Sequence, residues 1–362
     1  MIYKLILSIR DARYRKGTRS ARAEVPTVCV GNITVGGTGK TPHTEMLLRE
    51  LLESDRWRDS RIAVLSRGYK RRSKGFQQLP YDASAALYGD EPVQIKRKFP
   101  AVTVAVDKNR VEGCSILVHP EKAASIKRCK APDFPPSDII VLDDAYQYRK
   151  LKADLNIVLS DWNRPVTTDS LLPGGRLRDL KRRLYDCDAV IVTKCPYELE
   201  AAEKAEAARI LGYDSYDDAA CVADRNGKSQ LLLFSRICYG RPEPVFPDAD
   251  SRYTYSQKMV LFSGIADDTQ LRNYLSDSYK IVESIKFPDH HRYGGADVRA
   301  LLRAVKRNPT AVFMTTEKDA QRLRDIGKMP PKLKERLFYQ PISVEFLSEQ
   351  ERKVFIDKLI TL

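Results

Sequence analysis

Histidines, tryptophans and closely spaced cysteines are scarce in this chain. Its 362 residues include four histidines, two tryptophans and seven cysteines, and no two cysteines form a C-x-x-C pair. A disulfide framework and a structural zinc site are therefore not expected, and a reducing cytoplasm fits this cysteine usage best. The longest apolar runs also fall well short of the roughly 20 residues that a transmembrane helix requires.

Acidic residues are outnumbered by basic ones, 48 to 62, which gives a formal net charge of +14. An excess of this size favours an anionic partner, such as nucleic acid, anionic lipid or a phosphorylated substrate. Basic residues concentrate within 10–22, 67–74 and 176–183, although a solvated surface explains any one cluster equally well. The length and the 43% hydrophobic content predict a soluble protein of two domains.

Residues 30–42 join an apolar strand pattern to an amphipathic helix pattern and read as a phosphate-binding loop (P-loop). Glycines let successive backbone N–H groups face one anion, and the helix N-terminus adds partial positive charge. Lys40 is predicted to reach the terminal phosphates of a nucleotide, and the Thr41 hydroxyl to ligate Mg²⁺. The strict pattern has glycine where Thr34 stands, so the two glycines that follow must supply the curvature. The predicted nucleotide-binding residues of the loop are Thr34, Val35, Gly36, Gly37, Thr38, Gly39, Lys40 and Thr41.

Short apolar runs alternate with helical patterns along most of the chain. The strands predicted from these runs are 27–30, 62–65, 102–106, 139–142, 155–159 and 189–193. The alternation predicts an α/β fold with a P-loop NTPase-like, mostly parallel sheet flanked by helices. Beyond a loop rich in proline and acidic residues at 242–250, strand patterns at 259–262 and 311–315 predict a second, smaller α/β domain.

Residues 1–9 are apolar and lead into a run of arginines. This pattern predicts an amphipathic helix at a membrane interface, with apolar side chains in the lipid and arginines at the headgroups. A terminal helix packed on the protein's own core fits the same residues, and the sequence alone does not decide between the two. The segment is too short to span a bilayer and lacks a small-residue cleavage site.

Carboxylates occur at two positions that suit metal or proton chemistry. Asp143 and Asp144 end the predicted strand 139–142, where P-loop enzymes hold the metal through an acid or a water. Asp90 and Glu91 follow Gly89 in a Gly-Asp-Glu-Pro turn, a pattern that is also typical of ordinary helix capping.

Two further segments carry side chains of possible catalytic use. Asp289 precedes His290 and His291, and an acid beside a histidine can orient an imidazole for proton transfer. Lys318 follows the predicted strand 311–315, and ligands bind at strand ends in α/β sheets, so it is predicted to lie near the nucleotide. A capped helix start explains the Lys318 segment equally well.

Taken in order, these segments resemble the tetraacyldisaccharide 4'-kinase family, the lipid A 4'-kinases of Gram-negative bacteria. The matching segments are 31–42, 66–69, 89–92, 142–147, 171–178, 262–266, 287–290 and 315–320. The Asn-x-Thr-Val-Gly-Gly-Thr-Gly-Lys-Thr-Pro form is highly specific to the family, and Thr34 is usual there. The chain departs from the family at Ala145-Tyr146, where Gly-Phe is usual, and at Gly175, where proline is usual, which affects local loop geometry only.

The resemblance implies transfer of the ATP γ-phosphate to the 4'-hydroxyl of a lipid A disaccharide precursor. It implies that Asp90 acts with His290, chosen here over His291, and that Glu91, Asp143 and Asp144 serve the Mg²⁺ side. The residues expected to contact the lipid substrate are Asn32, Arg67, Tyr69 and Arg176. The alternative is a nucleic-acid-binding P-loop ATPase. The resemblance disfavours it, because a lipid A kinase is not expected to have a nucleic-acid partner.

The resemblance also implies a peripheral protein on the cytoplasmic face of the inner membrane, attached through its N-terminal helix. We expect residues 1–24 to form that membrane-interfacial helix and a basic arm. Residues 25–228 are expected to form the P-loop kinase domain, and residues 229–362 a C-terminal α/β domain with its linker.

Overall fold

The computed structural model describes residues 2–15, 19–125 and 134–362. Its helices are α1 Ile2–Arg15, α2 Lys40–Glu53, α3 Ala85–Tyr88, α4 Asp90–Lys98, α5 Arg110–Val118, α6 Ala201–Ile210, α7 Thr269–Ser276, α8 Gly295–Arg307, α9 Glu317–Arg324, α10 Pro331–Lys334 and α11 Glu349–Ile360. Its strands are β1 Thr27–Asn32, β2 Ile62–Ser66, β3 Gln77–Gln78, β4 Thr103–Val106, β5 Ile139–Asp143, β6 Leu155–Asp161, β7 Ala189–Thr193, β8 Ser215–Asp217, β9 Val222–Arg225, β10 Lys228–Tyr239, β11 Glu243–Pro244, β12 Lys258–Ser263, β13 Lys280–Lys286, β14 Val312–Thr316, β15 Leu337–Gln340 and β16 Ile342–Phe346.

The larger sheet has its parallel strands in the order β4-β2-β5-β1-β6-β7-β10. Antiparallel strands β3, β9, β8 and β16 extend it. The central strands β1, β2, β5 and β7 are buried throughout, with a hydrophobic core on each face of the sheet. β1 lies between β5 and β6, with Val30 opposite Asp143 and Asn32 opposite Leu159. The carboxyl ends of β1, β5 and β2 therefore meet at one edge.

The smaller sheet has the order β11-β15-β14-β12-β13 and a core of its own around Phe262, Phe313 and Leu301. The predicted fold class, a mostly parallel sheet with a second smaller α/β unit, is confirmed.

The chain returns to the larger sheet after completing the smaller one. β16 pairs with β10, and the indole Nε1 of Trp57 donates a 3.0 Å hydrogen bond to the carbonyl of Leu359 in α11. Phe355 and Leu359 are buried in the core beneath the larger sheet. The expected boundary between residues 228 and 229 therefore falls at the start of β10, within the larger sheet. The division into domains itself stays a prediction.

Helix α1 presents two different faces. Leu7 and Asp11, one helical turn apart, are buried against the protein body, where Asp11 forms ion pairs with Arg149 and Arg182. The opposite face is apolar and exposed; its large side chains are Ile2, Leu5, Ile6 and Ile9. One side of α1 thus packs on the core while the other stays open to an apolar partner. Within the described ranges, no helix combines the length and hydropathy that crossing a bilayer requires.

Candidate functional site

The predicted phosphate-binding loop lies between the end of β1 and the start of α2. Gly36 and Gly39 have φ angles of 102° and 84°, values that side-chain-bearing residues rarely adopt. The imidazole of His43 lies beneath the loop, with Nδ1 2.7 Å from the Gly39 carbonyl and Nε2 2.9 Å from Ser235 Oγ. Burial lowers the pKa of His43 to about 4, so it supports the loop as a neutral ring.

A second segment, which precedes Asp179, runs alongside the loop and fixes its shape. The Val35 N–H donates to the Arg176 carbonyl at 2.8 Å, and the Arg178 N–H donates to the Ile33 carbonyl at 2.9 Å. The exposed side chain of Arg176 extends toward Gly36, so this predicted lipid contact lies beside the phosphate loop.

Asn32 is fully buried, and both ends of its amide are bonded inside the protein. Its Nδ2 donates to Thr38 Oγ1 at 2.7 Å, and its Oδ1 accepts from Arg178 Nη2 at 2.6 Å. This arrangement favours a role for Asn32 in shaping the loop over the predicted contact to the lipid. The physical reason is that a residue at the end of a central strand has its side chain enclosed by the loop that follows.

Asp143 ends β5 in a buried position beside the loop. Ser66 Oγ donates to its Oδ2 at 3.0 Å, and Thr44 Oγ1 to its Oδ1 at 3.3 Å. Burial, together with the negative charges of Glu91 and Asp144, raises the pKa of Asp143 to about 7. This carboxyl group therefore lacks enough positive charge around it to ionise easily in the protein alone.

Asp144, the next residue, has a different environment. It forms an ion pair with Arg178, whose backbone also braces the phosphate loop. Burial opposes ionisation of Asp144, but the charges of Lys40 and Arg178 outweigh it and hold its pKa below the usual range. The two adjacent carboxyl groups thus differ in protonation: Asp144 ionises more easily than usual and Asp143 less easily.

The donor groups around the loop fit Mg²⁺. The Thr41 hydroxyl is buried and has no hydrogen-bond partner within the described chain. No three His, Cys, Asp or Glu side chains in that part of the chain form a ready metal cage. Mg²⁺ is typically held by one or two carboxylates with waters and substrate phosphates rather than by an all-protein cage. An orphaned Thr41 hydroxyl, together with the under-compensated carboxyl group of Asp143, matches that requirement.

The structure brings Asp90 and His290 together across 200 residues of sequence. Asp90 is buried at the start of α4, and its Oδ2 lies 3.2 Å from His290 Nδ1. Arg322 of α9 donates from Nε to the same oxygen at 3.0 Å. Burial opposes ionisation of Asp90, but the His290 hydrogen bond and the charges of Arg322 and Lys318 hold its pKa far below the usual range.

His291 has a different and structural environment. Its Nε2 lies 3.0 Å from Asp297 Oδ2, and its ring stacks on Phe287 with centroids 4.8 Å apart. Tyr293 packs against it edge to face. The geometry therefore favours the choice of His290, although the catalytic role itself stays a prediction.

Glu91 and Lys318, predicted for the metal and the nucleotide, form an ion pair with each other. Burial disfavours the charged amine, but Glu91 and Asp90 outweigh it and raise the pKa of Lys318. Sequence reasoning missed Arg322, which holds Asp90. Its position four residues after Lys318 was the available signal, because that spacing places both cations on one face of α9.

The loop after β2 brings a predicted substrate residue to His290. Gly68 and Gly89 approach so closely that a Cβ on Gly89 would lie 3.2 Å from the Gly68 Cα. Tyr69 is 54% exposed, and its ring lies 5.2 Å from the His290 ring, edge to face. Arg67, two residues earlier, is exposed. An aromatic face beside a histidine suits the binding of a sugar ring.

A family model described as tetraacyldisaccharide-1-P 4'-kinase, LpxK, matches residues 1–361. The chain belongs to this family. A tetraacyldisaccharide 4'-kinase of Parabacteroides distasonis is 40% identical over 346 residues, covering 93% of this chain and 86% of the relative. The enzyme of the same name from Porphyromonas gingivalis is 38% identical over 366 residues, covering 99% of this chain and 94% of the relative.

A solved structure agrees with the sequence relatives. LpxK from Aquifex aeolicus, crystallised in complex with ATP, superposes with a TM-score of 0.68 at 25% identity, over all of this chain and 96% of that one. The predicted tetraacyldisaccharide 4'-kinase function is therefore confirmed at the level of the family. Membership of a lipid kinase family also decides against the nucleic-acid-binding ATPase that composition left open.

Proposed function

We propose that this LpxK-family chain transfers the γ-phosphate of ATP to the 4'-hydroxyl of a tetraacyldisaccharide 1-phosphate, with His290 accepting the hydroxyl proton. The observation that carries the proposal is the 3.2 Å contact between His290 Nδ1 and the buried carboxylate of Asp90. A carboxylate at Nδ1 orients the ring, fixes its tautomer and stabilises the imidazolium that forms.

The charges around Asp90 assign the two roles. Arg322 and Lys318 keep Asp90 ionised, which makes it a weak proton acceptor. The proton of the sugar hydroxyl therefore passes to His290 Nε2, the ring nitrogen on the far side from Asp90. Asp90 is the positioning residue of the pair, and His290 is the group that contacts the acceptor hydroxyl.

The donor phosphates bind at the loop between β1 and α2. The backbone N–H groups of Gly36, Gly37, Gly39 and Lys40 and the Lys40 ammonium hold the phosphates, supported by the location of Lys40 beside Asp143 and Asp144. Thr41, Asp143, Asp144 and Glu91 are the side chains that would hold Mg²⁺. When bound, the ion neutralises the charge that develops on the phosphoryl oxygens.

Lys318 reaches the same region from the second sheet. It is bonded to Glu91, so it stands at the junction of the nucleotide and acceptor sides. We assign it to the phosphates of the nucleotide, and Arg67, Tyr69 and Arg176 to the acceptor headgroup and the approach to it. The exposure of Arg67, Tyr69 and Arg176 supports that assignment.

Helix α1 attaches the protein to the inner membrane from its cytoplasmic side. The support is its exposed apolar face, with Ile2 77% and Leu5 61% exposed, next to the arginine-rich segment that follows. Apolar burial combined with several basic residues near anionic lipid suffices for reversible attachment.

Thin-layer chromatography of radiolabelled ATP incubated with lipid A disaccharide 1-phosphate tests the proposal. The expected product carries a new phosphate at the 4' position and forms only when the 4'-hydroxyl is present. His119, which pairs with Glu24 at 2.7 Å on the exposed surface, provides a matched control. His290→Ala should lose transfer and His119→Ala should retain it. Equal activity in the two variants would refute the role of His290.

A further inference from the structure

The chain crosses between its two sheets twice, and the two crossings touch. The first follows β10 and the second follows β15. The Gly240 N–H donates to the Pro341 carbonyl at 3.1 Å, and Gln340 Nε2 donates to the Gly240 carbonyl at 2.6 Å. Any change in the relative position of the sheets must be accommodated here.

A partly buried cation, Lys98, lies beside the second crossing. Lys98, the last residue of α4, has its Nζ 2.8 Å from Glu45 Oε2, 2.8 Å from Glu317 Oε2 and 3.4 Å from the Ile342 carbonyl. The Glu45 side chain is fully buried and that of Glu317 nearly so. We call Glu45, Lys98 and Glu317 the Lys98 clasp.

The clasp joins two helices that carry cations of the candidate site. Glu45 is one turn after Thr41 on α2, and Glu317 directly precedes Lys318 on α9. Lys98 thus links the helix that follows the phosphate loop to the helix that carries Lys318 and Arg322.

Helix α4 is held by α9 at both of its ends. At its first turn Asp90 and Glu91 pair with Arg322 and Lys318. At its last turn Arg97 donates to Gln321 and Lys98 pairs with Glu317. The two ends are about 12 Å apart at 1.5 Å per residue, so the clasp acts at a distance from the reacting groups.

A contribution to stability does not by itself explain the Lys98 clasp. Replacing a buried ion pair or triad by well-packed apolar side chains of similar volume often leaves stability unchanged or raises it. Burial and the neighbouring Glu45 raise the pKa of Glu317 to about 7, so this carboxylate is costly to keep ionised. Gln94 Nε2 donates to the remaining oxygen of Glu45 at 2.7 Å, which leaves the clasp one well-defined geometry.

We propose that Lys98 is a positioning residue, which holds α9 in register with the P-loop helix so that Lys318 and Arg322 meet Glu91 and Asp90. Lys98 does not touch the reacting groups. The proposal goes beyond the phosphotransfer described above, since it concerns the alignment of two helices rather than the chemistry.

Three variants and a matched control test the clasp. Lys98→Met leaves two carboxylates without their cation, so the triple variant Glu45→Gln, Lys98→Met, Glu317→Gln removes every charge and avoids that folding cost. Lys98→Arg restores a positive charge. Lys96→Met is the control, because Lys96 is on the same helix but binds the backbone carbonyls of Pro100 and Val102 rather than a carboxylate of α2 or α9.

The triple variant should keep a melting temperature close to that of the wild type and lose at least tenfold in kcat, since displacement of about 1 Å can cost up to 100-fold. KM for ATP should rise by a smaller factor than kcat falls, because the phosphate loop and Lys40 lie on the Glu45 side of the clasp and only Lys318 moves with α9. Lys98→Arg should recover part of the kcat that Lys98→Met loses. A folded triple variant with kcat within twofold of the wild type, or an equal loss in Lys96→Met, would overturn the proposal.

Amide hydrogen exchange provides a readout that needs no activity. Exchange in residues 317–324 should rise at least tenfold in the triple variant, while exchange in residues 43–53 of α2 stays unchanged. Unchanged exchange in α9 would overturn the clasp even if activity fell. A wild type that transferred no phosphate would refute the proposed phosphotransfer instead, so the two failures are distinguishable.

Discussion

The pairing of Asp90 with His290 predicts strongly non-additive mutations. Asp90→Asn and His290→Ala should each lower kcat by about 10²–10⁴-fold, the usual contribution of general base catalysis, and leave nucleotide affinity nearly unchanged. That range corresponds to about 2.7–5.4 kcal/mol of transition-state stabilisation. A carboxylate that works only through the ring should contribute little once the ring is gone.

The double variant should therefore be about as slow as the slower single variant. Independent contributions would multiply to about 10⁴–10⁸-fold, so the two outcomes differ by at least two orders of magnitude. Single-turnover kinetics with ATP and the lipid disaccharide, in detergent, measures the three rates. Arg322 keeps Asp319 at 2.8 Å and the Gly264 carbonyl at 3.0 Å when Asp90 is neutralised, so the variants should remain folded.

Two results would refute this reasoning. Rate losses that multiply in the double variant would show that Asp90 and His290 act independently. A severe loss in His291→Ala with a mild one in His290→Ala would show that the wrong histidine was chosen. Thermal unfolding of each variant separates both results from loss of the folded state.

The remaining predictions concern the loop, the buried acid and the helix surface. Lys40→Ala should abolish transfer in a folded protein by removing several kcal/mol of transition-state stabilisation, so a near-normal kcat would refute the phosphate-loop assignment. The pKa of Asp143 is about 7 in the folded protein and about 4 in the unfolded chain, so the folded protein binds this proton more tightly. The free energy of unfolding therefore falls as pH rises between those two values. The Tm advantage of Asp143→Asn over the wild type should accordingly grow from pH 5 to 7, and a constant difference would contradict the pKa shift. Replacing Ile6 and Ile9 by Glu should weaken binding to anionic vesicles at least tenfold without changing KM for ATP, and unchanged binding would leave α1 as a packing helix only.

The strands and the phosphate loop were accessible from the sequence because both depend on local patterns. Short apolar runs with turn residues between them predicted β1, β2, β4, β5, β6 and β7. Gly36, Gly39 and Lys40 stand at the strand–helix junction that the loop requires, and Asp143 ends the neighbouring strand as expected. Strands and loops of this kind can be predicted because they depend on the spacing of residues within one short segment.

Contacts between distant segments were not accessible in this way. No spacing rule links Asp90 to Arg322, 232 residues later, or predicts that Glu91 meets Lys318. The pairing of β16 with β10 was not predicted for the same reason, since the sequence of a five-residue strand does not specify its partner. Asn32 was assigned to the lipid because it stands in a family motif, whereas its burial follows from how the segment before Asp179 folds over it.

The ion pairs of the candidate site show how its cations are held before substrate binds. Three cations of the candidate site are already matched by carboxylates: Arg178 by Asp144, Lys318 by Glu91, and Arg322 by Asp90. These pairs hold the site together in the absence of substrate, and each would have to be rebalanced when the triphosphate adds its negative charges. Asp143, with its raised pKa, is the acid least satisfied by the protein itself. The proposed Mg²⁺ would fit this balance: if the nucleotide drew Lys318 and Arg178 away from Glu91 and Asp144, a divalent ion would supply the positive charge that these carboxylates and Asp143 then lack.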